Sequence, residues 1–306
     1  MSIADAGSCS AAWEPPARSP DFTHQARCRL PFSSYASGVG RFRASCVVDL
    51  ATIPDSTVVC WALVLEIEVQ QVIGLIGGMS WESSAEYYRI INQAVRARLG
   101  GVHSARILMW SFDFGEVEAL QHAGRWDAAT ALMVDAAQRL ERGGADFALI
   151  CTNTMHRMAD QVQAGISIPL IHIADPTAER IRAAGLSRIG LLGTAFTMEQ
   201  AFYKGRLSER YGLDVLVPNQ EDRARVHHVI YDELVQGRVK APSRDAFRGV
   251  IAHLVAQGAE AIILGCTEIM LLVQPEDSSV PLFDTTAIHA EAAVERALQP
   301  AHSQAA

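Results

Sequence analysis

Lysine is almost missing from this chain: Lys204 and Lys240 are the only two, so 24 of its 26 basic residues are arginine. A pyridoxal phosphate enzyme needs a lysine for its Schiff base, and the choice here is narrow. Positive charge as a whole is in short supply. The formal net charge is −8, which leaves no basic footprint for nucleic acid or for an anionic membrane surface. No apolar run reaches the roughly 18–20 residues that cross a bilayer; the longest, Val58 to Val69, is broken by Glu66 and Glu68. The six cysteines, at positions 9, 28, 46, 60, 151 and 266, are irregularly spaced and include no CxxC pair. That argues against a structural zinc site and fits a reduced, cytoplasmic compartment. His172, His289 and the pair His227-His228 lack metal-ligand spacing, so neither a metal nor an organic cofactor is expected.

What remains is a chain of 306 residues, 49% hydrophobic and 20% charged, enough for one large or two modest domains. Residues 1–70 stand apart. They hold four of the six cysteines, five prolines, five arginines and little periodicity before Val58. They read as a disordered N-terminal extension, as a targeting segment, or as the product of a start codon upstream of the true one near Val69 to Val72.

From Val72 the pattern becomes α/β. Strands are expected at Val72–Ile76, Ala105–Trp110, Phe147–Ile150, Leu170–Ile173, Arg188–Leu192, Asp214–Val217, Ala261–Leu264 and Pro281–Phe283. Helices are expected at Ser83–Arg98, Ala128–Arg142, Pro176–Ala184, Glu199–Tyr211, Glu221–Gln236, Arg244–Gln257 and Thr286–Leu298. Alternation of this kind builds mainly parallel sheets flanked by helices.

The body also repeats itself. Ile73-Gly74-Leu75-Ile76-Gly77 matches Ile189-Gly190-Leu191-Leu192-Gly193 at an offset of 116, and Cys151-Thr152 matches Cys266-Thr267 at an offset of 115. Ile168-Pro169-Leu170 matches Val280-Pro281-Leu282 at an offset of 112. Three matches in one order point to a duplicated lobe. The expected division is 71–170 plus 284–299 for lobe 1 and 171–283 for lobe 2, with the active site in the cleft between them.

Each of Cys151 and Cys266 follows an apolar strand. Sites in open α/β sheets form beyond the carboxyl ends of strands, so a pseudo-twofold would set one thiol on each side of a shared cleft. A following helix N-terminus is expected to favour the thiolate, while Thr152, Asn153 and Thr154 offer donors for a substrate carboxylate. Either motif alone is equally readable as a small buried cysteine. His156 either tunes the Cys151 thiol or lies on a helix surface. The run Gly74-Leu75-Ile76-Gly77-Gly78-Met79-Ser80 lacks both the GxGxxG spacing and a phosphate-loop lysine. It reads as a glycine turn beside the cleft or as a plain tight turn. Paired thiols suit two-base chemistry: one removes an α-proton and the other returns a proton to the opposite face. The carboxylate donors stabilise the enediolate formed between.

The stretches IGLIGGMSWESSAEYYRIIN, LICTNTMHRMAD, LLGTAFTMEQAFY, ILGCTEIMLLV and FDTTAIHAE resemble the aspartate/glutamate racemase superfamily of pyridoxal-phosphate-independent amino-acid racemases, in its broad-specificity bacterial branch. The resemblance covers about Val72 to Leu298. It implies two pseudo-symmetric lobes, a homodimer, Cys151 and Cys266 as acid/base thiols, and Asn153, Thr154, Thr197 and Thr267 as substrate contacts. Met79 and Glu268, within these segments, join them as candidate contacts. Aspartate-specific members carry an arginine after the second strand and a lysine in a later helix. Here Ser111–Glu118 and Ile230–Gln236 contain neither, and Asp113, Glu116 and Glu118 are expected to repel an acidic side chain. A broader or neutral substrate range follows. Hydantoin racemases and isomerases or decarboxylases on this scaffold are the alternatives, and a non-catalytic amino-acid-binding protein is a third.

Overall fold

The computed structural model describes residues 70–299. The reading of residues 1–70 as an extension therefore lies, but for Gln70, outside the described residues. Eight strands form two sheets: β1 Ile73–Gly77, β2 Ile107–Ser111, β3 Phe147–Ile150, β4 Leu170–Ile171, β5 Arg188–Gly193, β6 Asp214–Leu216, β7 Ala261–Gly265 and β8 Leu282–Asp284. The first sheet has the order β2-β1-β3-β4 and the second β6-β5-β7-β8. All pairings are parallel. Identical strand orders in the two halves are the structural form of the repeat seen in the sequence.

The helices are α1 Trp81–Leu99, α2 Phe114–His122, α3 Trp126–Arg142, α4 Ala159–Ala164, α5 Ala174–Ala183, α6 Ala195–Glu199, α7 Ala201–Gly205, α8 Gln220–Asp232, α9 Ala241–Ala256, α10 Ile269–Leu272 and α11 Thr285–Ala297. Helix α1 starts where the Ser80 hydroxyl accepts from the Ser83 amide at 3.3 Å, satisfying one of the free N–H groups of a helix start. It buries Ser83, Ser84, Tyr87, Ile91 and Val95, a three-to-four-residue stripe that covers the first sheet. Helix α11 packs on the same layer: Ala290, Ala293, Val294 and Ala297 share a core with Ile73, Tyr87, Ile91, Phe147 and Cys151. In the second sheet, Phe247, Val250, Ile251 and Leu254 of α9 close over Ile262 and Leu264. Strands β1, β3 and β7 are wholly buried, as expected of central parallel strands covered on both faces.

Three elements depart from expectation. After β2, where no helix was expected, the chain forms α2, started by the Asp113 carboxylate accepting from the Gly115 amide at 3.0 Å. The helix expected over Glu199–Tyr211 is broken at Gln200, whose ψ of 149° is extended, and ends in a π-helical turn at Arg206–Arg210. Cys151 is not followed directly by an α-helix: a 3₁₀ turn over Thr154–Met158 precedes the six-residue α4.

Candidate active site

The carboxyl ends of β1, β3, β5 and β7 carry four loops, and these meet around one cavity. The loop after β3 contributes Thr152, Asn153 and Thr154, and the end of β7 with the loop after it contributes Gly265, Cys266 and Glu268. Met79, after β1, and Thr194, after β5, complete the strand-end part. Phe114 and Gln121 from α2 and Ile230, Tyr231 and Val235 from α8 and the turn after it form the rest.

Of the candidate residues, Met79, Asn153, Thr154, Cys266 and Glu268 line this cavity, and Cys151, Thr197 and Thr267 do not. Cys151 is fully buried in the core beneath α1, its amide donating to the Ile76 carbonyl at 2.9 Å and its carbonyl accepting from Ser83 Oγ at 3.2 Å. Thr197 sits one hydroxyl behind the wall: Thr154 Oγ1 lies 3.0 Å from Thr194 Oγ1, which lies 3.2 Å from Thr197 Oγ1. Thr267 donates to Glu268 Oε2 at 2.9 Å.

Glu268 is buried and gathers donors from both lobes. Its Oε1 accepts from Ser80 Oγ at 2.7 Å and its Oε2 from Cys266 Sγ at 2.9 Å. A carboxylate with its oxygens already engaged is a partner of the Cys266 thiol before it is a substrate contact. Ser80 to Glu268 and Thr154 to Thr194 are ties from a strand-end loop of one sheet to one of the other. Each joins a cysteine loop to the loop after the first strand of the opposite sheet. Asn153 donates from Nδ2 to Thr285 Oγ1 at 3.0 Å, while its buried Oδ1 has no partner. A buried acceptor left open is costly, so a ligand donor at that point gains what the free site lacks.

The expected thiolate at the strand ends is not what burial dictates. Desolvation pushes the Cys151 thiol far above its ordinary range. It does the same to Cys266, which the Glu268 charge raises further. The helices that follow are too short and too distant to compete: α10 has four residues, and the macrodipole acts only at a helix's first turn. Both thiols rest protonated.

His156 neither touches a thiol nor lies on the surface. It is buried, with Nδ1 2.8 Å from the Thr152 carbonyl and Nε2 accepting from the Ile173 amide at 3.1 Å. The ring pins the backbone that follows Cys151, and burial lowers its pKa to about 4. Behind it, Tyr87 Oη donates to His289 Nδ1 at 2.8 Å, and His289 Nε2 donates to the Ile171 carbonyl at 2.9 Å. The acidic trio expected to repel substrate is displaced as well. Asp113, Glu116 and Glu118 are absent from the lining because α2 turns Phe114 and Gln121 inward instead. The lining includes no lysine and no arginine.

Residues 76–293 match the family model for Asp/Glu/Hydantoin racemase. The chain is 26% identical over 166 residues to the broad specificity amino-acid racemase RacX of Bacillus subtilis, covering 53% of this chain and 69% of that protein. A Yersinia pestis crystal structure described as a candidate Asp/Glu racemase is 55% identical, covers 75% of this chain and 100% of its own, and superposes with a TM-score of 0.71. An aspartate racemase homologue from Pyrococcus horikoshii is 33% identical over the same shares, with a TM-score of 0.66.

Proposed function

The chain belongs to the Asp/Glu/hydantoin racemase family, and on that premise we propose that it racemises a small amino acid by two-thiol proton transfer with no organic cofactor or metal. The observation that carries this reading is that the loops after both strand-end cysteines open onto one cavity. Cys151 and Cys266 are the acid/base pair, one for each face of Cα: Cys266 lines the cavity, and Cys151, buried behind the loop of Thr152, Asn153 and Thr154, has to come within reach when substrate binds. Asn153, Thr154, Thr194 and Met79 hold the substrate, the open Asn153 Oδ1 accepting from its α-ammonium group, while Thr197 and Thr267 act from behind through Thr194 and Glu268.

On this reading Glu268 takes the proton of Cys266 along the existing Sγ–Oε2 hydrogen bond. The resulting thiolate removes the α-proton, and the Cys151 thiol delivers its own proton to the opposite face. The bound ammonium offsets the cost of making an anion in a buried cavity. At the end of the turnover Cys266 is a thiol again, Cys151 is a thiolate and Glu268 holds the proton it took; the reverse reaction begins from that state, and return of the Glu268 proton to Cys151 restores the resting form. Both proton carriers are side chains, so the chemistry calls for nothing else.

The same reading assigns 71–170 plus 284–299 to lobe 1 and 171–283 to lobe 2, and makes the protein a cytoplasmic homodimer. Among the described residues no helix is long and apolar enough to cross a membrane. The test is cofactor-free protein in deuterium oxide with single enantiomers. Racemisation with deuterium gained at Cα supports the proposal. Exchange or decarboxylation without inversion would assign the chain to another reaction, and turnover of hydantoins alone would move the substrate class. Bound amino acids that keep their chirality and their α-proton would make it a binding protein.

A further inference from the structure

The part of the cavity that comes from helices has a composition of its own. Phe114, Ile230 and Val235 are apolar, and between them stand two polar groups, Gln121 and Tyr231. Tyr231 Oη donates to Gln121 Oε1 at 3.0 Å. The Gln121 amide nitrogen donates to Met155 Sδ at 3.1 Å. Gln121 is buried, so this N–H group has exchanged water for a thioether, a weak acceptor.

We propose that Gln121 and Tyr231 read the substrate side chain, selecting short amino acids whose side chain ends in a neutral hydrogen-bonding group, a carboxamide or a hydroxyl. This rests on the racemase reading above and adds to it the class of side chain. Three arrangements lead to it. The Gln121 amide turns a donor toward any oxygen better than the sulfur it now touches. The phenol oxygen, while donating to Gln121, keeps lone pairs free to accept from a substrate N–H or O–H. The strand-end loops hold the acid/base and amino-acid contacts, so the helical wall is where the remainder of the substrate lies.

The same wall disfavours the two neighbouring classes. A carboxylate side chain finds no lysine or arginine in the lining and is buried unpaired, which is costly. Burial, with the Glu118 and Glu268 carboxylates nearby, holds the Tyr231 phenol above its ordinary range, and the field of those carboxylates opposes another anion. An alkyl side chain fits but leaves Gln121 on its thioether and gains no hydrogen bond.

Asparagine, leucine and aspartate share one branched skeleton and differ in what its end presents. With the wild-type protein, kcat/KM for asparagine should exceed that for leucine by about tenfold, the discrimination one good neutral hydrogen bond provides. It should exceed that for aspartate by more. Gln121→Leu keeps the volume and removes the amide, and the asparagine-to-leucine ratio should fall about tenfold. Tyr231→Phe removes the phenol and should lower the same ratio, giving an independent reading if Gln121→Leu does not fold. A ratio unchanged in a folded variant, or rates on both substrates falling together, would overturn the proposal and leave the racemase assignment standing. Wild-type protein that racemises no amino acid at all would remove the assignment beneath it, which is a different result.

Discussion

Replacing Glu268 by glutamine separates proton transfer from packing. The carboxylate accepts from Ser80 Oγ at 2.7 Å, Thr267 Oγ1 at 2.9 Å and Cys266 Sγ at 2.9 Å. A carboxamide of the same shape keeps an acceptor for Ser80. The hydroxyl of Thr267 can turn to meet the new N–H₂, so the fold should survive. What is lost is the group that takes the Cys266 proton. A positioned acid–base partner contributes about 10²–10⁴ in rate, so kcat/KM should fall by two to four decades, roughly 2.7–5.4 kcal/mol at 1.36 kcal/mol per decade. The thiol should respond in the opposite sense. Glu268 is the second cause of the raised Cys266 pKa, after burial, and removing its charge lets the thiol ionise at lower pH. The assay pairs polarimetric kcat/KM with the pH dependence of Cys266 alkylation by iodoacetamide in a Cys151→Ala background. Alkylation should begin at lower pH in the variant while racemisation collapses. Racemisation within about threefold of wild type, with the alkylation profile unmoved, would refute the proposed role of Glu268.

Cys151→Ala and Cys266→Ala should each abolish racemisation while permitting exchange of the α-proton from one enantiomer; proton NMR in deuterium oxide checks both, and full racemisation by either variant contradicts the two-base scheme. Because the lining lacks a cation, aspartate should not exceed a neutral amino acid such as homoserine in kcat/KM by about a hundredfold, roughly 2.7 kcal/mol; a panel of enantiopure substrates at one pH decides it. Stability should fall on acidification. Burial lowers His156 from 6.5 to about 4 and His289 to about 3, so between those values and 6.5 the unfolded chain binds protons that the folded one refuses, and stability rises with pH. Holding His156 neutral down to about pH 4 corresponds to roughly 3 kcal/mol at 1.36 kcal/mol per pH unit, fully present above about 6.5 and lost on approach to 4. Melting temperatures should be level above neutrality and drop steeply below pH 6; an unchanged Tm at pH 5 contradicts it.

The sheets were legible because buried parallel strands are written as short aliphatic runs. All eight were expected within three residues of where they begin and end, and the repeat that relates them stands in the sequence as glycine and cysteine offsets. The helices adjoining the site were harder. Helix α2 has nine residues and a weak apolar stripe, yet Asp113 two residues before Gly115 was a start signal, a carboxylate able to cap free amides. Gln121, Tyr231 and Thr194 escaped because no spacing rule links a glutamine on one lobe to a tyrosine 110 residues away. Thr194 had one available sign, its place directly after the second copy of the β-strand–glycine pattern. The state of the thiols was beyond the sequence as well, since it depends on how much water each sulfur keeps.

The two cysteine loops occupy equivalent places in the repeat, but the third residue of one is Asn153 and of the other Glu268. On the proposed two-thiol scheme a carboxylate takes a proton readily and a carboxamide does not, so the two one-thiolate forms that begin the opposite reactions are unequal in free energy. Mirror-image substrates have the same free energy in water, and a catalyst cannot alter that. For a racemase, kcat/KM must therefore be identical for the two enantiomers, whatever the asymmetry between the lobes. The difference between Asn153 and Glu268 can show only in how that common ratio divides. The enantiomer drawn to the more populated of these one-thiolate forms has the lower KM and, in the same proportion, the lower kcat. Symmetry of the fold sets the two faces of Cα, and the broken symmetry at this one position decides which enantiomer saturates the enzyme first.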